Sequence, residues 1–123
     1  MQAAEQHRAL NLWRLATVAS VRRDGPDLTA RQMAILLTAY LTPPPHTVRG
    51  LAETMGISKP AVTRALDRLG ELGFLRRKVD ETDRRSVLVQ RTVKGSVFLS
   101  EFAELVRGAE RTLNDGGESA DPA

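Results

Sequence analysis

The sequence predicts a mainly α fold with a small β-hairpin wing: a winged helix-turn-helix flanked by N- and C-terminal helices suited to dimerisation. Three stretches lead to that fold class. Residues 47–72, TVRGLAETMGISKPAVTRALDRLGEL, read as two short helices around a tight turn at Gly56. Residues 75–91 follow at once as two β-prone runs separated by a charged loop, the layout of a wing. Residues 5–23 and 93–113 are long segments with apolar residues at helical spacing. Together they make a single domain over 1–114, with 115–123 as a tail.

The helix-turn-helix is read from its steric demands. Ala52 is small enough for two helices to approach, Gly56 can take the positive φ of the turn, and Val62 locks the second helix onto the first. Thr47 and Ser58 are placed to cap the two helices. Pro60 falls in a first turn, where the missing amide hydrogen costs nothing, and Gly73 ends the second helix. Val62, Ala65, Leu66 and Leu69 then face inward, which leaves Lys59, Thr63, Arg64 and Arg68 outside. Such a face suits a solvated surface helix, but after this turn it suits entry into a DNA groove.

The flanks follow from periodicity. The helix over 5–23 carries Leu10, Leu12, Trp13, Leu15, Ala16, Val18, Ala19 and Val21, an apolar surface too wide for one core. One side is expected to face a second surface, such as another subunit. Trp13, the sole tryptophan, reads as core or interface packing rather than a ligand group. After a turn at Asp24, Gly25 and Pro26, Thr29 is expected to cap a helix over 30–41. Met33, Ile35, Leu36, Leu37 and Tyr40 make that helix nearly all apolar, which predicts a buried central helix. Pro43, Pro44 and Pro45 form a stiff connection. His46 reads as a solvated loop histidine with no second ligand at a useful spacing. Beyond the hairpin, Thr92 caps the last helix, with Phe98, Phe102, Leu105, Ala109 and Leu113 in one apolar stripe. The Gly-rich acidic tail is expected to be disordered.

Charge is distributed unevenly along the 123 residues. Residues 1–48 carry five basic and three acidic groups, residues 49–94 eleven and six, and residues 95–123 two and six, giving +2, +5 and −4. The positive excess thus sits on the helix-turn-helix and hairpin, where a polyanion-binding surface needs it. With no cysteine, disulfides and thiolate metal sites are excluded. The N-terminus has no secretion-signal layout and no apolar run reaches membrane-spanning length, so the expected location is the cytoplasm, associated with the nucleoid. No phosphate-cradling lysine follows Gly50 or Gly56, and His7 and His46 complete no nucleophile–histidine–carboxylate set, so no enzyme, cofactor or metal is expected.

The strings LTARQMAIL, TVRGLAETMGISKPAVTRALDRLGELGFLRR, DETDRR and RTVKG, spanning roughly residues 28–95, resemble the winged-helix multiple antibiotic resistance regulator (MarR) family. The resemblance implies a regulator that reads both DNA grooves. Ser58, Lys59, Pro60, Thr63 and Arg64 would occupy the major groove, with Arg64 suited to guanine edges and Thr63 and Pro60 to thymine methyls. Arg68, Arg76, Arg77 and Lys78 would hold the backbone. Arg84 and Arg85 inherit the minor-groove role of the wing, with Asp80 and Asp83 buttressing arginines at its tip. The family wing motif has an arginine between its aspartates where this chain has Thr82, which implies a looser tip. Arg91 stands where the family usually has an apolar residue, and is expected to pair with Glu101 or face a partner. Leu12, Trp13, Ala16, Phe98, Phe102, Leu105 and Leu113 are the implied dimer contacts, although the final family helix is missing here.

Two functions compete. One is a sequence-specific, double-stranded-DNA-binding transcriptional regulator, a homodimeric repressor on a pseudo-palindromic operator, with an unidentified small aromatic effector. The alternative is a winged-helix protein-interaction module with little or no specific DNA binding, which has no use for an outward basic set at Lys59, Arg64, Arg84 and Arg85.

Overall fold

A computed structural model of the chain describes residues 2–116. Its elements, in order, are α1 (Gln2–Arg22), α2 (Ala30–Leu41), β1 (His46–Thr47), α3 (Val48–Met55), α4 (Lys59–Glu71), β2 (Leu75–Val79), β3 (Val87–Arg91) and α5 (Val93–Asn114). They divide into two compact units, residues 28–99 and residues 1–27 with 100–123.

In the unit of residues 28–99, helix starts are fixed by side-chain caps. Thr29 forms a full capping box with Gln32: its Oγ1 accepts from Gln32 N at 3.1 Å, and Gln32 Oε1 accepts from Thr29 N at 2.9 Å. Thr47 caps α3 through Gly50 N at 2.9 Å, Ser58 caps α4 through Ala61 N at 3.2 Å, and Thr92 caps α5 through Gly95 N at 2.9 Å. The turn between α3 and α4 needs a left-handed residue, and Gly56 supplies it at φ 67.

The core of this unit forms where α4 lies on α2 and α3. Ile35, Leu36, Leu51, Val62, Leu66 and Leu69 are its largest fully buried side chains. Burying each is worth about 1.5–3 kcal/mol. Phe98, from the first turns of α5, stacks on Phe74 with ring centroids 4.3 Å apart and is 5% exposed. That places its ring on the chain's own core, where the sequence reading makes it a dimer contact. The central helix also departs from expectation, because only one face of α2 is buried. Leu37 is 37% and Leu41 75% exposed.

The hairpin belongs to a three-stranded antiparallel sheet ordered β1-β3-β2. β1 was not expected: His46 and Thr47 pair with Val89 and Leu88, so His46 sits in a strand rather than a solvated loop. Along β2 and β3 only Leu75 and Val89 are buried. β3 begins at Val87, and the Ser86 carbonyl before it accepts from Asp80 N at 3.0 Å in the turn.

The other unit holds α1 and α5 from Ser100 onward. Arg8 Nη2 donates to Asn114 Oδ1 at 2.5 Å. Ala16 is buried, Leu12, Phe102, Leu105 and Leu113 are half-buried, and Trp13 is 72% exposed, so Trp13 is not core packing within this chain. Leu10, Val18 and Val21 of α1 are exposed as well. α1 starts three residues before its predicted boundary. Asp115 and Gly116, expected in the tail, continue α5 into a turn; the rest of the tail, 117–123, lies outside the described residues.

Candidate nucleic-acid interface

The exposed side of α4 is set by the buried side. Ala61, Val62, Ala65, Leu66 and Leu69 face the core, which leaves Ser58, Lys59, Pro60, Arg64 and Arg68 exposed and Thr63 half-buried at the edge of the stripe. Ser58 Oγ is occupied as an acceptor by the cap, so its remaining capacity toward a ligand is its O–H donor. Lys59 and Arg64 have no ion pair among the described residues, whereas Arg68 lies 3.7 Å from Glu71. Arg49, in the first turn of α3, is exposed and without an ion pair among the described residues. The sequence signal for it was its place two residues after the Thr47 cap, in the first turn of α3.

β2 separates its three cations by the alternation of a strand. Arg77 shares a face with Leu75 and donates to Asp67 on α4 at 2.6 Å, which ties the strand to α4. Both partners are partly exposed, so the pair contributes about 0–1 kcal/mol. Arg76 and Lys78 project from the opposite face, exposed. The four cations expected to act alike therefore differ: Arg68 and Arg77 are ion-paired, and Arg76 and Lys78 have no ion pair among the described residues.

At the wing tip, the turn is closed by backbone bonds from Asp83 N to Asp80 O at 3.2 Å and from Ser86 N to Asp83 O at 2.8 Å. Asp80 does not buttress an arginine. Its Oδ1 accepts the Thr82 hydroxyl at 2.8 Å and the Thr82 N–H at 3.0 Å. Thr82 thus gives Asp80 two charge-assisted bonds at the position where the family pattern has an arginine. The Thr82 hydroxyl first, and its N–H second, hold the Asp80 carboxyl below the usual aspartate range. Asp83 Oδ1 accepts from Arg85 N at 3.2 Å and lies 3.6 Å from Arg85 Nε, while Arg84 lies 3.6 Å from Glu81. The two arginines remain 77% and 95% exposed, so these pairs are loose tethers that a stronger anion can displace.

Two residues behind the hairpin escaped sequence reasoning. Tyr40, counted as core, accepts from Thr92 N at 2.9 Å and its hydroxyl lies 2.7 Å from Phe74 O. Arg91, expected to meet Glu101 or a partner, donates instead from Nε to Ala39 O at 2.8 Å and from Nη2 to Thr42 O at 3.0 Å. Among the described residues no group of three or more His, Asp or Glu is gathered to hold a metal, and no helix is long and apolar enough to cross a membrane.

These features can be set beside known proteins. Residues 28–87 match the MarR family model, a span running from just before α2 to the first residue of β3. The chain is similar to the crystal structure of MarR at 26% identity and a TM-score of 0.61, over 94% of this chain and 79% of that one. It is similar to the transcriptional regulator BldR from Sulfolobus solfataricus at 24% identity and 0.63, over 98% and 83%. It is also similar to S. aureus MepR bound to ethidium bromide at 20% identity and 0.68, over 94% and 81%. With the helix-turn-helix, the three-stranded wing and the matched residues in agreement, residues 28–87 carry the winged helix-turn-helix pattern of the MarR family.

Proposed function

We propose that the protein is a homodimeric, sequence-specific repressor that reads a pseudo-palindromic operator in both grooves. The observation that carries this reading is the placement of cations: Lys59 and Arg64 stand on the exposed side of a firmly packed α4, and Arg84 and Arg85 stand at an exposed wing tip. α4 enters the major groove, where Arg64 bonds guanine edges and Pro60 and Thr63 meet thymine methyls. Lys59, Arg49, Arg76 and Lys78 hold phosphates, and Arg68 joins them once released from Glu71. The wing arginines occupy the minor groove, whose negative potential outcompetes their carboxylate tethers.

Homodimerisation is supported by α1, where Leu10, Trp13, Val18 and Val21 leave a broad apolar surface exposed. Leu12, Trp13, Phe102, Leu105 and Leu113 are its proposed contacts, with two recognition helices presented about 34 Å apart. A planar aromatic effector, of the class to which ethidium belongs in the MepR complex, is the proposed release signal. The protein acts by binding alone, in the cytoplasm.

The test is duplex binding across a salt series. Each phosphate neutralised should contribute about −0.9 to the slope of log affinity on log salt. Steep dependence supports the regulator. Absent or flat binding supports the protein-interaction module.

A further inference from the structure

The root of the wing is held by a contact that strand pairing and packing do not explain. α2 ends because Pro43–Pro45 follow it, and Pro43 has no N–H to offer the Ala39 carbonyl, its acceptor in a continuing helix. Arg91, the last residue of β3, supplies that donor and a second one to Thr42 O, which His46 Nε2 also approaches at 3.1 Å. Nε reaches Ala39 O at 2.8 Å, Nη2 reaches Thr42 O at 3.0 Å, and the guanidinium carbon lies 5.9 Å from the Tyr40 ring centre. A cation is also favoured at the negative end of a helix. Tyr40 extends the tie, since its hydroxyl bonds Phe74 just before β2 and Thr92 just after β3. Both ends of the hairpin are thus bonded to the last residues of α2.

Packing leaves this task open. β2 and β3 bury one side chain each, and a cavity of about 250 Å³ lies between Pro44–His46 and Leu88–Arg91. A five-residue strand spans roughly 16 Å, so a tilt of about 10° at its root moves the tip by about 3 Å, the length of a hydrogen bond.

We propose that Arg91 is the positioning residue of the wing: by bonding the Ala39 carbonyl, which Pro43 leaves without a helical donor, and the Thr42 carbonyl just after α2, it fixes the direction of the hairpin, and so aims Arg84 and Arg85 together with α4. The proposal rests on the DNA-binding reading, and one arm of its test does not depend on DNA. In that arm, amide exchange is followed in Arg91→Ala and Arg91→Lys proteins. Residues 75–79 and 87–91 should exchange about tenfold faster in Arg91→Ala, with α3 and α4 unchanged, because a root contact reports on local rather than global opening. Arg91→Lys, which keeps one charged donor, should recover part of the protection. Unchanged exchange in the hairpin, or an equal rise in α4, overturns the proposal.

The second arm measures duplex affinity in two backgrounds. Arg91→Ala should weaken binding about tenfold in the wild type and less than about twofold when Arg84→Ala/Arg85→Ala is already present, because coupled residues are non-additive. Equal losses in both backgrounds overturn it. If the wild-type protein binds no duplex, the regulator reading falls by itself, and the exchange arm still decides whether Arg91 fixes the root.

Discussion

α4 and the wing are the two exposed cationic parts of the same unit, and they are held in opposite ways. α4 buries five side chains along one face, so its outer residues are aimed by the core. The hairpin buries one side chain per strand, and beyond Val79 its shape depends on polar bonds: Thr82 to Asp80, Arg85 N to Asp83, and Arg91 to the end of α2. Apolar burial is strong and non-directional, whereas hydrogen bonds are weak singly but fix direction. Damage to α4's support should therefore unfold the unit, while damage to the wing's support should misdirect it and leave it folded.

The sharpest break is Leu66→Ala. Removing a fully buried leucine from the interface of α4 with the core should cost about 2–5 kcal/mol in a denaturant melt. Gly95→Ala comes next, because a Cβ there meets the Tyr40 hydroxyl and the Phe74 carbonyl, both tightly placed. We expect about 1–3 kcal/mol of destabilisation from the forced shift, read in the same melt.

What could be read from the sequence follows the same division. The caps at Thr29, Thr47, Ser58 and Thr92, the glycine turn and the inward set of α4 are local features, each decided by residues within a turn or two. The contacts that were not legible join distant residues: β1 to β3, Phe74 to Phe98, and Arg91 to Ala39 across 52 positions. One signal for the last was present. Three prolines after an apolar helix withhold N–H donors from its final carbonyls, which then take side chains or water as partners. At Thr82 the family pattern pointed to an absent arginine and not to the bonds that form: the Thr82 hydroxyl and N–H both donate to Asp80.

Smaller effects sharpen the contrast. Ser58→Ala removes the α4 cap and should cost about 1 kcal/mol. Thr82→Val should change stability by less than about 0.5 kcal/mol, since it alters only an exposed tip. Its effect belongs to pH. Asp80 is held below its ordinary value of 3.8, so its ordering of the tip is fully present at neutral pH and is lost as pH falls below that value. Nuclear magnetic resonance shifts of Thr82 and Asp83 should follow that titration in the wild type, at a lower midpoint than in Thr82→Val.

The most direct measurement compares wild type, Arg64→Ala and Arg84→Ala/Arg85→Ala for duplex affinity over a salt series, with thermal melts alongside. Both variants should melt as the wild type does. Arg64→Ala should lose about 1–3 kcal/mol of discrimination between cognate and altered major-groove bases. The wing variant should lose affinity mainly for sites with a narrow, A·T-rich minor groove and keep its base discrimination. Wild-type affinity in both variants, with no salt dependence, would contradict a two-groove reader.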